Sequence, residues 1–240
     1  QTLAGTVIDY TGPTYVSGGR LIFSNNDDTW TRALDISAGA TVEVYRVAGA
    51  EYEHRYNGFV LSGAGTIEKT GNGLMDMNFD SDSTVRMSSG GLISVRTGTV
   101  RLGWGNRSNW AINKSDLNID AGAVFDMWDN SIGIYVDALT GAGTFIKGTA
   151  YNNCNAGTLT IGTDNGSGIF SGVVRNGTGA PTPGVLSLAK NGSGTQTLDA
   201  ASTYTGNTTV NAGVLQLAGA GSISNSAAIT VGTGAVFDVS

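Results

Sequence analysis

Short glycine-broken strings recur along this chain, and that recurrence restricts its fold more than any other feature. Leu34-Asp-Ile-Ser-Ala-Gly-Ala-Thr-Val-Glu-Val44 returns as Leu117-Asn-Ile-Asp-Ala-Gly-Ala-Val-Phe-Asp-Met127 and as Ile229-Thr-Val-Gly-Thr-Gly-Ala-Val-Phe-Asp-Val239. Leu61-Ser-Gly-Ala-Gly-Thr-Ile-Glu-Lys69 returns as Leu139-Thr-Gly-Ala-Gly-Thr-Phe-Ile-Lys147, and Tyr10–Phe23 aligns without gaps to Tyr204–Leu217. Within and around these strings, apolar and polar residues alternate for about five positions before Gly, Asn, Ser or Asp intervenes. One face of each strand therefore meets a core and the other meets solvent. No window shows a convincing helical stripe, so the chain reads as all-β.

Ordered repetition of this kind marks a stacked solenoid, in which each coil covers the apolar edge of the next. A sandwich pairs its strands antiparallel and gives little reason for one string to recur at equivalent turns. Parallel coils lay like residues over like residues, so a β-solenoid is the expected architecture: a single elongated domain. At about 20–25 residues per coil, the 240 residues make roughly ten coils, and the ~4.8 Å strand spacing makes a rod about 50 Å long.

Composition narrows the function. The formal charge is -6 and the pI near 4.6, which disfavours a phosphate-gripping protein, so no nucleic-acid partner is expected. No apolar run reaches the ~18–20 residues of a membrane-spanning helix. The single cysteine, Cys154, forms neither an internal disulfide nor a cysteine-based metal site. Gln1 in place of Met suggests a removed signal peptide or a trimmed chain.

Two parts differ in character. Residues 1–150 hold all four Trp and 27 of the 32 formal charges, with insertions between the repeated strings; residues 151–240 are regular and low in charge. Recognition is therefore expected in the first part. One candidate is the insertion holding Trp104, Arg107 and Trp110, whose indoles and guanidinium suit stacking on sugar rings or a protein surface; packing of the indoles on the flank is the competing reading. The other is Glu51–Asn57, with Tyr52, His54 and Tyr56. Adjacent residues of an extended strand face opposite ways, so this segment is no preformed catalytic pair.

Catalysis is not expected. Glu43, Asp126 and Asp238 recur at equivalent places in the first string, but with several coils between copies they need not adjoin. The only histidine is His54, and no Gly-x-Ser-x-Gly nucleophile motif occurs. The acidic stretches Asn25–Asp28, Asp80–Asp82 and Asp164–Ser167 offer too few oxygens for calcium and read as Asx turns. The Gly-rich Ser62–Thr66 precedes a strand rather than a helix, so it cannot cradle phosphate. No cofactor is called for.

Residues 184–217 join Leu186-Ser-Leu-Ala-Lys-Asn-Gly-Ser-Gly194 to Tyr204-Thr-Gly206 and Asn211-Ala-Gly-Val-Leu215. This succession resembles the autotransporter-associated β-strand repeat. A looser copy spans 61–102, with Lys69, Gly71 and Gly73 where Lys190, Gly192 and Gly194 stand. The resemblance implies a right-handed parallel β-helix, export, and a place at the bacterial cell surface or outside it, as a passenger-type scaffold with no particular reaction or ligand. A structural or adhesive β-solenoid with a glycan or cell-surface partner is the expectation; a polysaccharide-binding or lyase-like β-helix is the alternative. The third copy of the first string, from Ile229, would need a covering strand near positions 251–256. Two readings follow: a segment of a longer protein, or a subunit that self-associates end to end into an open filament.

Overall fold

The computed structural model describes residues 1–3, 12–24, 33–48, 59–77, 83–102, 108–128, 132–148, 156–179 and 183–240, and no helix occurs among them. Every strand pair is parallel. The chain passes in turn over three walls. The long wall has eleven strands, from Thr2–Leu3 through Thr41–Tyr45, Thr66–Thr70 and Asp116–Ile119 to Val236–Asp238. The second wall has four strands, Thr14–Val16 to Thr84–Met87, and then five, Ile134–Val136 to Ile229–Val231. The coil between them is stitched by Val85 N–H to the Asn109 carbonyl (2.9 Å) and Lys114 N–H to the Met87 carbonyl (3.0 Å). The third wall has five strands, Leu74–Asp76 to Val173–Asn176. The chain is thus a parallel β-solenoid.

The figure of roughly ten regular coils is slightly off, because the coils are unequal. From Thr144 to its partner Val173 the chain takes 29 residues and forms all three walls. From Thr195 to its partner Val214 it takes only 19, which leaves no strand on the third wall.

Inward residues stack in files. On the second wall Leu34 lies on Leu61 and Leu61 on Val85; further along, Ile134 lies on Leu159 and Leu159 on Leu188. All are buried in one continuous core. Each such side chain contributes about 1.5–3 kcal/mol. The tyrosine of Tyr204-Thr-Gly206 belongs to this interior: its hydroxyl meets Thr208 Oγ1 at 2.7 Å, and burial pushes its pKa up to about 12.

The recurring strings do not all occupy the same wall. Leu34–Val44 runs from the second wall to the long wall, as does Ile229–Val239, whereas Leu117–Met127 runs from the long wall to the third. Like strings therefore build like corners rather than like positions in the coil. The corner turn is the same each time: Ala40 N–H donates to Ser37, Ala123 N–H to Asp120 and Ala235 N–H to Gly232, at 2.9, 2.9 and 3.1 Å. What lies above the first two corners also matches. Leu61 pairs with Leu34, and Leu139 with Leu117, so the spacings of 27 and 22 residues each amount to one coil.

The lysine motif builds a second kind of corner. Lys69 sits between Val44 and Val95 in an inward file, and Lys190 between Ile161 and Val210. Both are buried, and both bend their ammonium to the corner. Lys69 Nζ donates to the carbonyls of Thr70 (2.9 Å), Gly71 (2.6 Å) and, one coil on, Thr97 (3.1 Å). Lys190 Nζ repeats this with Asn191, with Gly192 (3.0 Å) and, one coil on, with Ala212 (3.5 Å). Lys69 lies on the long wall and Lys190 on the second, so this device too is independent of the wall.

Candidate functional site

Of the residues singled out for recognition, Tyr52, His54, Tyr56, Trp104 and Arg107 lie outside the described residues, as does Cys154. Trp110 is described, and it is fully buried. The bridge between Asn109 and Thr84 sets the alternation: Asn109 faces solvent and Trp110 faces in. The indole Nε1 donates to Ser108 Oγ at 3.0 Å, and the ring meets Phe125 edge-on at 6.2 Å; Phe125 in turn stacks on Phe145 at 5.4 Å. Trp110 is therefore a core residue that a sugar ring cannot reach. Trp110→Ala is expected to cost about 3–5 kcal/mol, read from urea denaturation; a loss under about 1 kcal/mol would refute the packing role.

The outward face of the long wall carries a charge ladder that the sequence reading missed. Glu43 and Glu68 are direct partners in adjacent coils. Arg20 bridges them, with Nη2 2.8 Å from Glu43 Oε2 and in contact with Glu68 Oε1. Arg96 continues the chain of charges to Glu68 (3.3 Å) and Asp120 (3.5 Å). Asn118 then accepts from Thr140 Oγ1 at 3.1 Å in the next coil. The adjacency was available in the spacing, since residues 43 and 68 lie one coil apart.

Two neighbouring carboxylates invite an acid–base reading, yet their surroundings oppose it. Burial pushes Glu43 up, but the Thr70 hydroxyl and the Arg20 guanidinium outweigh it and hold the carboxyl below its ordinary range. A proton donor needs the opposite shift. Asp238 shares the outward file of Glu43 far along the long wall, and Asp126 stands on the third wall, so the three recurring acids form no site.

The Glu43 contribution should be visible in acid. Its depressed pKa stabilises the fold above the ordinary value of 4.5, and that stability is lost as pH falls through the depressed value. The advantage of the native chain over Glu43→Gln should therefore shrink from about pH 6 to about pH 3, by about 0.5–1 kcal/mol because Arg20 is half exposed and screened. Urea midpoints at the two pH values measure it; an unchanged difference would remove the ladder as a source of stability.

On the third wall Arg101 is stacked directly between Asp76 and Asp126. Its Nε lies 3.4 Å from Asp126 Oδ2, and its guanidinium carbon lies 4.0 Å above the Trp128 ring. Asp126 Oδ1 accepts from Trp128 N–H (2.9 Å) and Gly148 N–H (3.0 Å), and Lys147 Nζ donates to the Trp128 carbonyl. These bonds hold a bulky residue at φ +47°, a region that normally disfavours it. Asp76, Asp126, Trp128 and Lys147 are buried and the Arg101 side chain is only partly exposed, so the cluster braces the wall.

The turn Asp164–Ser167 is held from outside rather than as an Asx turn: Asp137 Oδ1 accepts from Asp164 N–H and Gly166 N–H, while Asp164's own carboxylate pairs with Lys114 at 2.8 Å. Among the described residues no group of three or more His, Cys, Asp or Glu could hold a metal ion.

A rod of parallel coils with two interchangeable corner devices and self-neutralised outer charges defines a repeat scaffold. The model of the passenger-associated-transport-repeat family matches residues 1–22 and 188–217, the second stretch spanning the Lys190 corner and the Tyr204-Thr-Gly206 motif. The chain is also 33% identical over 219 residues to the adhesin BmaC autotransporter of Brucella suis biovar 1 (strain 1330), across 88% of this chain and 6% of that protein. Together these matches support an autotransporter passenger repeat family for the chain. The chain spans only a small part of the relative's length. No solved structure matches.

Proposed function

We propose that the chain is a stiff, non-enzymatic segment of a bacterial surface or secreted adhesin, which holds flank insertions at fixed places along a rod. The observation that carries this reading is the parallel solenoid itself, together with its likeness to an adhesin autotransporter over most of its length. Strand ladders around a dry interior resist bending and leave the outward side chains free to vary. Tyr52, His54, Tyr56, Trp104 and Arg107 supply the contacts, and a glycan or another cell-surface molecule is the partner.

Beads coated with the chain should be retained on animal cells or on a glycan array. Retention should drop in a Trp104→Ala, Arg107→Ala variant or a Tyr52→Ala, His54→Ala, Tyr56→Ala variant whose unfolding midpoint is unchanged. Failure of the native chain to bind either surface would overturn the adhesive reading. A polysaccharide-degrading protein is the alternative, and it would have to use the paired Glu43 and Glu68 despite the arginines that clamp them. Release of shortened or unsaturated oligosaccharides, abolished by Glu68→Gln, would establish that reading.

A further inference from the structure

In an Asn-Gly pair the side-chain carboxamide and the next backbone nitrogen can react with each other, because glycine leaves that nitrogen uncovered. The chain has five such pairs, and four are described: Asn72-Gly73, Asn165-Gly166, Asn176-Gly177 and Asn191-Gly192. Their glycine N–H groups are spent differently. Gly73 N–H donates to the Arg46 carbonyl at 3.0 Å and Gly177 N–H to the Gly184 carbonyl at 2.9 Å, and Gly192 N–H meets no carboxylate among the described residues. Gly166 N–H alone of the four donates to a carboxylate, Asp137 Oδ1, at 2.8 Å, which that oxygen shares with Asp164 N–H at 2.6 Å. Only glycine fits this seat, since a Cβ at position 166 would overlap the Asp137 carboxylate. The carboxamide is held as well. Asn165 Oδ1 accepts from Ser193 N–H at 3.0 Å and from Ser193 Oγ at 3.2 Å, one coil on, and Nδ2 has no partner among the described residues. Asn165 is exposed and stands at φ +70°, a region uncommon for a residue with a side chain and a recurrent mark of functional positions.

We propose that Asn165-Gly166 is a self-modification site, at which the folded turn converts its own asparagine to aspartate and isoaspartate. Asp137 is the base: it draws the proton from Gly166 N–H, and that nitrogen attacks Asn165 Cγ. The two Ser193 donors stabilise the negative charge that gathers on Oδ1, as an oxyanion hole does. The bond from Gly166 N to Cγ forms, the bond from Cγ to Nδ2 breaks, and Nδ2 leaves as ammonia with the proton taken from Gly166. Water then opens the cyclic imide, at the side-chain carbonyl to leave aspartate or at the backbone carbonyl to leave isoaspartate. The product matters because the next coil rests on this turn. A Cβ at Gly194 would overlap the Gly166 carbonyl oxygen, so the extra backbone carbon of isoaspartate has no room there. Slow conversion therefore loosens the rod at one defined seam, between the turns at 162–167 and 191–195.

The test incubates the full chain folded and, separately, unfolded in urea, and follows each Asn-Gly peptide by mass spectrometry. A fixed backbone ordinarily keeps the nitrogen from the carboxamide, so Asn72, Asn176 and Asn191 should convert more slowly in the folded chain. Asn165 should instead convert about 10–100-fold faster folded than unfolded. Asp137→Asn should bring its folded rate down to the unfolded one, and Ser193→Ala, which leaves the backbone donor in place, should lower it about tenfold. Conversion of Asn165 no faster in the folded chain than in the unfolded one overturns the proposal, and so does an undiminished rate in a folded Asp137→Asn variant. If urea midpoints show that Asp137→Asn does not fold, Ser193→Ala decides, and a rate equal to that of the native chain overturns the proposal.

Discussion

Gly141→Ala is expected to cost about 3 kcal/mol or more, measured as the fall in unfolding free energy in urea. Two penalties coincide at this position. Its φ of +96° lies where an L-residue is strained. The added methyl would also overlap the Ile119 carbonyl of the coil below. That carbonyl is a fixed acceptor, since both Ala142 N–H and Gly143 N–H donate to it, at 2.9 and 2.8 Å. Neither coil has slack to move aside. The comparison variant is Gly122→Ala, at φ +81°, where an added methyl would find no atom within 4 Å. It should cost only the backbone strain, about 1–2 kcal/mol. Equal losses in the two variants would mean that coil-to-coil contact at Gly141 is unimportant.

The second large effect belongs to the buried lysines. Lys69→Met keeps the aliphatic stem and removes the donor shared by Thr70, Gly71 and Thr97, leaving carbonyls of two successive coils without it. A buried polar group stripped of its partner costs about 1–3 kcal/mol, so a loss of about 2–4 kcal/mol is expected, and the same for Lys190→Met. The pH response separates this role from simple packing. Burial, and secondarily the nearby Arg46 charge, lowers the Lys69 pKa from 10.5 to about 8. The unfolded chain therefore binds the extra proton between those values, so the native chain gains stability relative to Lys69→Met as pH rises from about 8 to 10.5. Below that window both states carry the proton and the difference is constant. A stability gap that stays flat through the window would show that the ammonium is not confined as described.

Much of the architecture was legible in the residues. Period-two alternation and the spacing of Leu34 from Leu61 give parallel coils directly, because a residue and its copy one coil on are hydrogen-bonded neighbours. The wall assignment was not legible. The string at Leu117 differs little from that at Leu34, yet the two turn different corners. Trp110 misled for a related reason. Polar neighbours such as Asn109 and Asn113 resemble a surface loop, but Asn113 is itself buried and spends its amide on the Tyr135 carbonyl at 2.8 Å and the Met87 N–H at 3.1 Å. The Arg20–Glu43–Glu68–Arg96 ladder escaped notice because its members are about one coil apart, where no local motif can reveal them.

Because each string specifies a corner and not a whole coil, the unit that can be copied is smaller than one revolution. Inserting a full revolution would lengthen the rod and leave the azimuth of every later flank segment as it was. Inserting a single corner unit would swing all later segments round to the next side. A lineage of such rods could thus re-aim its contact points with an in-frame duplication of a dozen or so codons, with the interior hardly altered.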